Sequence, residues 1–139
     1  MNPGHAISLI IGIVLALAVG LACSAARFDR ERVFYPTLMI VIASYYGLFA
    51  AIGGAPRTLL AESPAIVLFA GAALAGFRFS LWIVVAALAA HGLYDLVHGA
   101  LISNPGVPPW WPAFCCGYDL VAAAYLAALL LHSPRLSHP

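Results

Sequence analysis

The stretch AISLIIGIVLALAVGLACSAA, Ala6 to Ala26, contains no charged side chain. As a helix it rises about 31 Å at ~1.5 Å per residue, enough to cross a hydrocarbon core about 30 Å thick. A surface helix of a water-soluble protein carries a polar stripe along its length; this one has only two serines and a cysteine. A signal peptide is the competing reading, because Ala22-Cys23-Ser24-Ala25 has the small residues of a cleavage site. However, Met1 to His5 holds no Lys or Arg, the apolar run exceeds the about 7 to 15 residues of a signal core, and positive charge follows it. A retained membrane helix is expected. Gly12, Ala16 and Gly20 fall four apart on it, a ridge of small residues that lets another helix approach closely; helix packing is the expected use, and a face for a second copy or a partner membrane protein the alternative.

The rest of the chain has the same character. Of 139 residues, six are Lys or Arg and five Asp or Glu, 64% are hydrophobic, and the mean hydropathy is +1.01. Soluble domains are about 25% charged, so a value of 8% excludes an ordinary soluble globule. All six basic residues are Arg, the net charge is +1, and the densest basic cluster is Arg27, Arg30 and Arg32. Nucleic acid has no electrostatic footprint here, and the lipid bilayer is the partner that the composition demands. Cys23, Cys115 and Cys116 form no CxxC pair. Adjacent Cα atoms lie about 3.8 Å apart, below the about 4.4 to 6.8 Å of a disulfide, so no disulfide framework is expected.

Further spans follow from the punctuation. Arg27 to Arg32 is too polar for hydrocarbon and reads as a loop. Phe34 to Ile52 opens on Tyr35-Pro36 and closes at Gly53-Gly54. A third helix begins either at Ser63-Pro64, as cap and first-turn Pro, or near Thr58, with Glu62 inside it and Pro64 bending it. Leu81 to Ile102 ends at Ser103-Asn104-Pro105-Gly106, and Val107 to Pro112, with three prolines and two Trp, is expected to lie along the membrane interface. The expected fold is an all-α transmembrane bundle, one domain over 1–139, with spans at about 6–26, 34–52, 60–77, 81–102 and 113–132. With the N-terminus outside, Arg27, Arg30, Arg32, Arg78 and Arg135 fall inside and Arg57 alone outside, the orientation that the positive-inside rule favours for a protein of the cell inner membrane.

Span four carries what a bilayer should exclude. In Ala90-His91-Gly92-Leu93-Tyr94-Asp95-Leu96-Val97-His98, Asp95 and His98 both fall within about 40° of His91 at about 100° per residue, so the three share one face. Span five adds Asp119 beside Tyr118 at similar depth, which predicts one outward-facing polar pocket. His91 and His98 stand about 10.5 Å apart along the axis, too far to share one ion, so Asp95 is the expected pivot. Asp95 and His98 have the i, i+3 spacing of helical metal sites, Asp119 would oppose them, and His91 would orient Asp95. A divalent transition metal, with zinc first, is the expected cofactor. The same residues also fit a proton relay, or a hydrogen-bonded knot in which Asp95 ties to His98 and Tyr118. Tyr94, Tyr118, Tyr45 and Glu62 are the expected supporting groups, with Tyr46 an alternative to Tyr45; Cys115 and Cys116 read as packing or as soft-metal ligands.

The segments His91 to His98, Asn104 to Pro108, Trp110 to Cys115, Phe34 to Thr37 and Ala43 to Tyr46 together resemble a family of short bacterial integral membrane proteins of unknown function. That resemblance implies a small membrane protein and no particular activity. The His and Asp pattern is also similar to that of membrane hydrolases that arrange buried His, Asp and Ser around zinc, which have about seven spans and a third His that this chain lacks. The functional expectation is metal binding, with metal-assisted hydrolysis of a lipid-like substrate as the chemistry if it is catalytic. The alternatives are an accessory subunit or assembly factor of a membrane complex and, third, a proton or small-solute transport component.

Overall fold

The computed structural model describes residues 3–28, 31–54 and 56–132. Asp29, Arg30, Ser133, Pro134, Arg135 and His138, on which some expectations fall, lie outside the described residues. Among the described residues the chain is all-helical, without strands: α1 Pro3–Ala26, α2 Phe34–Ile52, α3 Pro56–Arg78, α4 Leu81–Leu101 and α5 Trp111–His132. All five are long and apolar enough to cross a membrane.

Of the two starts expected for α3 the earlier one is found, two residues before Thr58, and α5 begins two residues before its expected start. Helix α3 starts at Pro56, a first-turn position where the missing N–H costs nothing, and runs through Pro64, so Glu62 lies inside the span. Pro64 has no N–H to offer the carbonyl of Leu60; the Ser63 hydroxyl donates to that carbonyl at 2.7 Å instead, which keeps the helix continuous. Helix α5 starts at Trp111, not Ala113, and takes Pro112 into its first turn. The paired tryptophans keep a ring contact, with centroids 5.6 Å apart, but differ in their surroundings. Trp110 stays half exposed before the helix, whereas Trp111 packs on Tyr45 and Phe49, with ring centroids 4.8 and 4.9 Å away.

Contacts across the bundle sort the loops onto two faces. Asn104 binds the carbonyl of Tyr46 and Thr58 that of Ser103, so the end of α2, the start of α3 and the α4–α5 loop lie together. Arg32 donates to the carbonyl of Phe77 at 3.1 Å, which places the α1–α2 loop with the end of α3 on the other face. Five helices running up and down in alternation satisfy both. Helix α4 packs against α5, α3 and α2, while α1 packs on α5 and hardly at all on α2. Large apolar side chains such as Ile10, Val14, Leu60, Val67 and Leu96 point outward, which suits a surface solvated by lipid rather than water.

The small-residue ridge of α1 faces α5 of the same chain. A Cβ on Gly12 would collide with the Phe114 carbonyl, Gly20 sits under the Tyr125 ring, and Ser24 Oγ meets Tyr125 Oη at 2.7 Å. The ridge thus serves as an internal packing seam, the use expected first from the sequence, because only glycine lets the two backbones come this close.

Candidate metal centre

Helix α4 turns His91, Asp95 and His98 inward together, and α5 presents Cys115 and Asp119 one turn apart. His91 with Asp95, and Cys115 with Asp119, are each i, i+4 pairs, so each pair forms a short row on its own helix. Because α4 and α5 are joined antiparallel neighbours, the two rows oppose each other. Gly92 permits the approach: a Cβ there would already lie 3.2 Å from the Asp119 Cβ.

Asp119 Oδ2 lies 2.7 Å from His91 Nδ1, and the Cys115 thiol donates to the same oxygen at 3.8 Å. Asp95 Oδ2 lies 3.6 Å from His91 Nδ1, and Asp95 Oδ1 accepts a 2.6 Å bond from the Tyr46 hydroxyl. One donor atom from each of His91, Asp95, Cys115 and Asp119 lies within 4.8 Å of every other, a group able to hold a metal ion. Tetrahedral ligands on one zinc, bonded at about 2.0 to 2.3 Å, sit about 3.3 to 3.8 Å apart, so the widest pair would have to contract by about 1 Å to close the shell. Two carboxylate oxygens in this group, Asp95 Oδ2 and Asp119 Oδ1, are buried without any hydrogen-bond partner.

His98 goes elsewhere. Its Nε2 lies 2.9 Å from Glu62 Oε1, and Asn104 Nδ2 donates to that same oxygen at 2.8 Å. The Tyr46 ring stacks on the His98 ring with centroids 3.6 Å apart while its hydroxyl reaches Asp95. Tyr46 therefore fills the space in which Asp95 and His98 were expected to converge, and His91, the intended support, takes the bridging position between the two aspartates. Glu62, His91, Asp95, His98 and Asp119 are all buried.

The outward-facing pocket also resolves differently. An open pocket of about 290 Å³ beneath the α4–α5 loop is bounded by His98 and Asn104, whereas His91, Asp95, Cys115 and Asp119 are enclosed between helices. Tyr94 packs edge-on against His98 and its hydroxyl has no hydrogen-bond partner. Tyr118 and Tyr45 line an apolar cleft that the group borders through Cys115 alone, and Tyr46 is the tyrosine of α2 that reaches the acids. Sequence reasoning left Cys115 at the margin. The signal that finds it is the repeated i, i+4 spacing, acid with imidazole on one helix and acid with thiol on the next. Asn104 was read only as a turn residue; its side chain also donates to the Tyr46 carbonyl and accepts from the Gly106 amide, tying the loop to the acids.

Comparison with known families, curated proteins and solved structures finds no match.

Proposed function

We propose that this chain is an integral protein of the cell inner membrane that holds one divalent transition metal, zinc first, between α4 and α5. His91, Asp95, Asp119 and Cys115 would be the ligands. The observation that carries this reading is the pair of buried oxygens without a hydrogen bond, Asp95 Oδ2 and Asp119 Oδ1, beside His91 and Cys115. A buried polar atom without a hydrogen bond costs about 1 to 3 kcal/mol, more when charged. A cation bound between the two would relieve both at once. One imidazole, two carboxylates and one thiolate form a mixed N, O and S set, which suits zinc better than magnesium or calcium.

A shell of four protein donors is the pattern of a structural ion, which would clamp the helices together. A hydrolase acting on a lipid-like substrate is the second reading, favoured by the placement of Cys115 on the wall of a cleft between helices. If Cys115 stood aside, His91, Asp95 and Asp119 would leave one coordination position for water. Elemental analysis of protein purified in mild detergent tests the centre itself. Wild type is expected to carry about one ion per chain, and Asp95→Asn, Asp119→Asn and Cys115→Ser to lose most of it. A folded, metal-free wild type after zinc supplementation would leave the group as a hydrogen-bonded knot and end the metal reading.

The orientation belongs to the same proposal. Arg57 lies on the face of the α4–α5 loop, while Arg27, Arg32 and Arg78 lie on the other, so the loop would face outward. A cysteine placed at Val107 should react with a membrane-impermeant maleimide in intact cells whose outer membrane is permeabilised. Reaction only after the inner membrane is breached would reverse the orientation.

A further inference from the structure

The buried pair Glu62 and His98 has no part in the four-ligand group, yet it is built as a metal-binding histidine is built. Glu62 Oε1 accepts from Asn104 Nδ2 at 2.8 Å and lies 2.9 Å from His98 Nε2. An oxygen that accepts from both makes Nε2 the donating nitrogen, so the lone pair of the neutral ring is on Nδ1. The ring is held in place, stacked on Tyr46 at 3.6 Å and met edge-on by Tyr94 at 5.5 Å. A histidine that donates one ring nitrogen to a carboxylate and keeps the other free is the usual arrangement of a metal ligand. His98 is only 2% exposed, and its Nδ1 makes no hydrogen bond among the described residues. Nor is that atom among those sealed from solvent without a partner, so it keeps access to the pocket of about 290 Å³ that His98 borders beneath the α4–α5 loop.

We propose that this pocket is the entry port for a divalent transition-metal ion, with His98 Nδ1 as its first protein ligand. A metal centre enclosed between helices needs a route in. The apolar cleft that reaches the group at Cys115 offers a hydrated ion no donor to replace its water. The pocket at the loop does, because His98, Ser103 and Asn104 stand among its prolines. Asp95 precedes His98 by three residues on the same face of α4, so the port and the centre are neighbours. Tyr46 is the barrier between them, its ring on His98 and its hydroxyl 2.6 Å from Asp95 Oδ1. One imidazole, with water completing the shell, holds an ion more weakly than four protein donors do, so the ion can move on to the centre. That destination rests on the metal reading; capture at His98 does not.

Metal-stripped wild type in mild detergent, mixed with Co(II), should develop the thiolate-to-cobalt charge-transfer band of Cys115 as the centre fills. His98→Gln is expected to slow that filling by about tenfold or more at low Co(II), with the final intensity unchanged. Gly99→Leu tests the port without altering the Glu62–His98 pair. Gly99 lines the pocket and a Cβ there meets nothing within 4 Å, so the added side chain obstructs the mouth while the fold is kept. It should slow filling by a similar factor. Equal rates in wild type and both folded variants overturn the proposal. So does a His98→Gln variant that fills at the wild-type rate to a lower final intensity, which would make His98 a support of the centre alone. Capture is read separately in Asp119→Asn with Cys115→Ser, where Co(II) should broaden the His98 ring-proton resonances. Broadening at His98 with no band in wild type removes only the four-ligand centre, and a band with no broadening removes only the port.

Discussion

His91→Ala is expected to destabilise the folded bundle by about 3 to 5 kcal/mol, the usual loss when one partner of a buried ion pair is removed. His91 Nδ1 sits 2.7 Å from one aspartate and 3.6 Å from the other, between acids that are both buried. Deleting the imidazole leaves Asp95 and Asp119 facing each other, with Tyr46 and Cys115 as the remaining donors to them. In a low-dielectric interior that arrangement is far costlier than the lost hydrogen bond alone. The control is the double replacement His91→Leu with Asp119→Leu, which removes both halves of the pair and is expected to fall much closer to wild type. Unfolding in detergent, with chelator present in every sample, measures the protein contribution separately from any bound ion. A single-variant loss below about 1 kcal/mol, the range of an exposed pair, would show that the two aspartates do not depend on His91.

Gly12→Leu is expected to force α1 away from α5. The first side-chain carbon would meet the Phe114 carbonyl and the Tyr118 amide, and backbone cannot rotate out of the way as a side chain can. Overpacking of a well-filled interface costs about 1 to 3 kcal/mol even where side chains can adjust, so this substitution should exceed that range. Gly71→Leu provides the comparison, since a Cβ there meets nothing within 4 Å. Because Phe114 and Tyr118 flank Cys115 on the same helix, displacement of α5 should also lower metal content, whereas Gly71→Leu should leave it unchanged. Equal melting temperatures for the two variants would refute the packing of α1 on α5.

The five spans were legible because their signal is local: runs of apolar residues, punctuated by Gly, Pro and Arg, need no knowledge of what packs on what. The start of α3 was not, since Pro64 can open a helix or bend one. The decision rested on the Ser63 hydroxyl satisfying the Leu60 carbonyl, a contact that propensity does not encode. The candidate site was legible in part for a similar reason. The shared face of His91, Asp95 and His98 follows from helical periodicity, but periodicity says nothing of the ring that lies between two of them. Tyr46, two helices away in sequence, separates Asp95 from His98 and sends the latter to Glu62.

By itself the sequence determined that this is an all-helical chain with five helices able to cross a membrane, and that a few ionisable groups lie where hydrocarbon penalises them. Which of those groups meet was decided only by the tertiary structure. A helix's own periodicity sets the face on which a side chain lies, but its partner depends on the depth and rotation at which a second helix packs. Here the close approach at Gly92 sets both for α5, bringing Asp119 and Cys115 to His91 and Asp95.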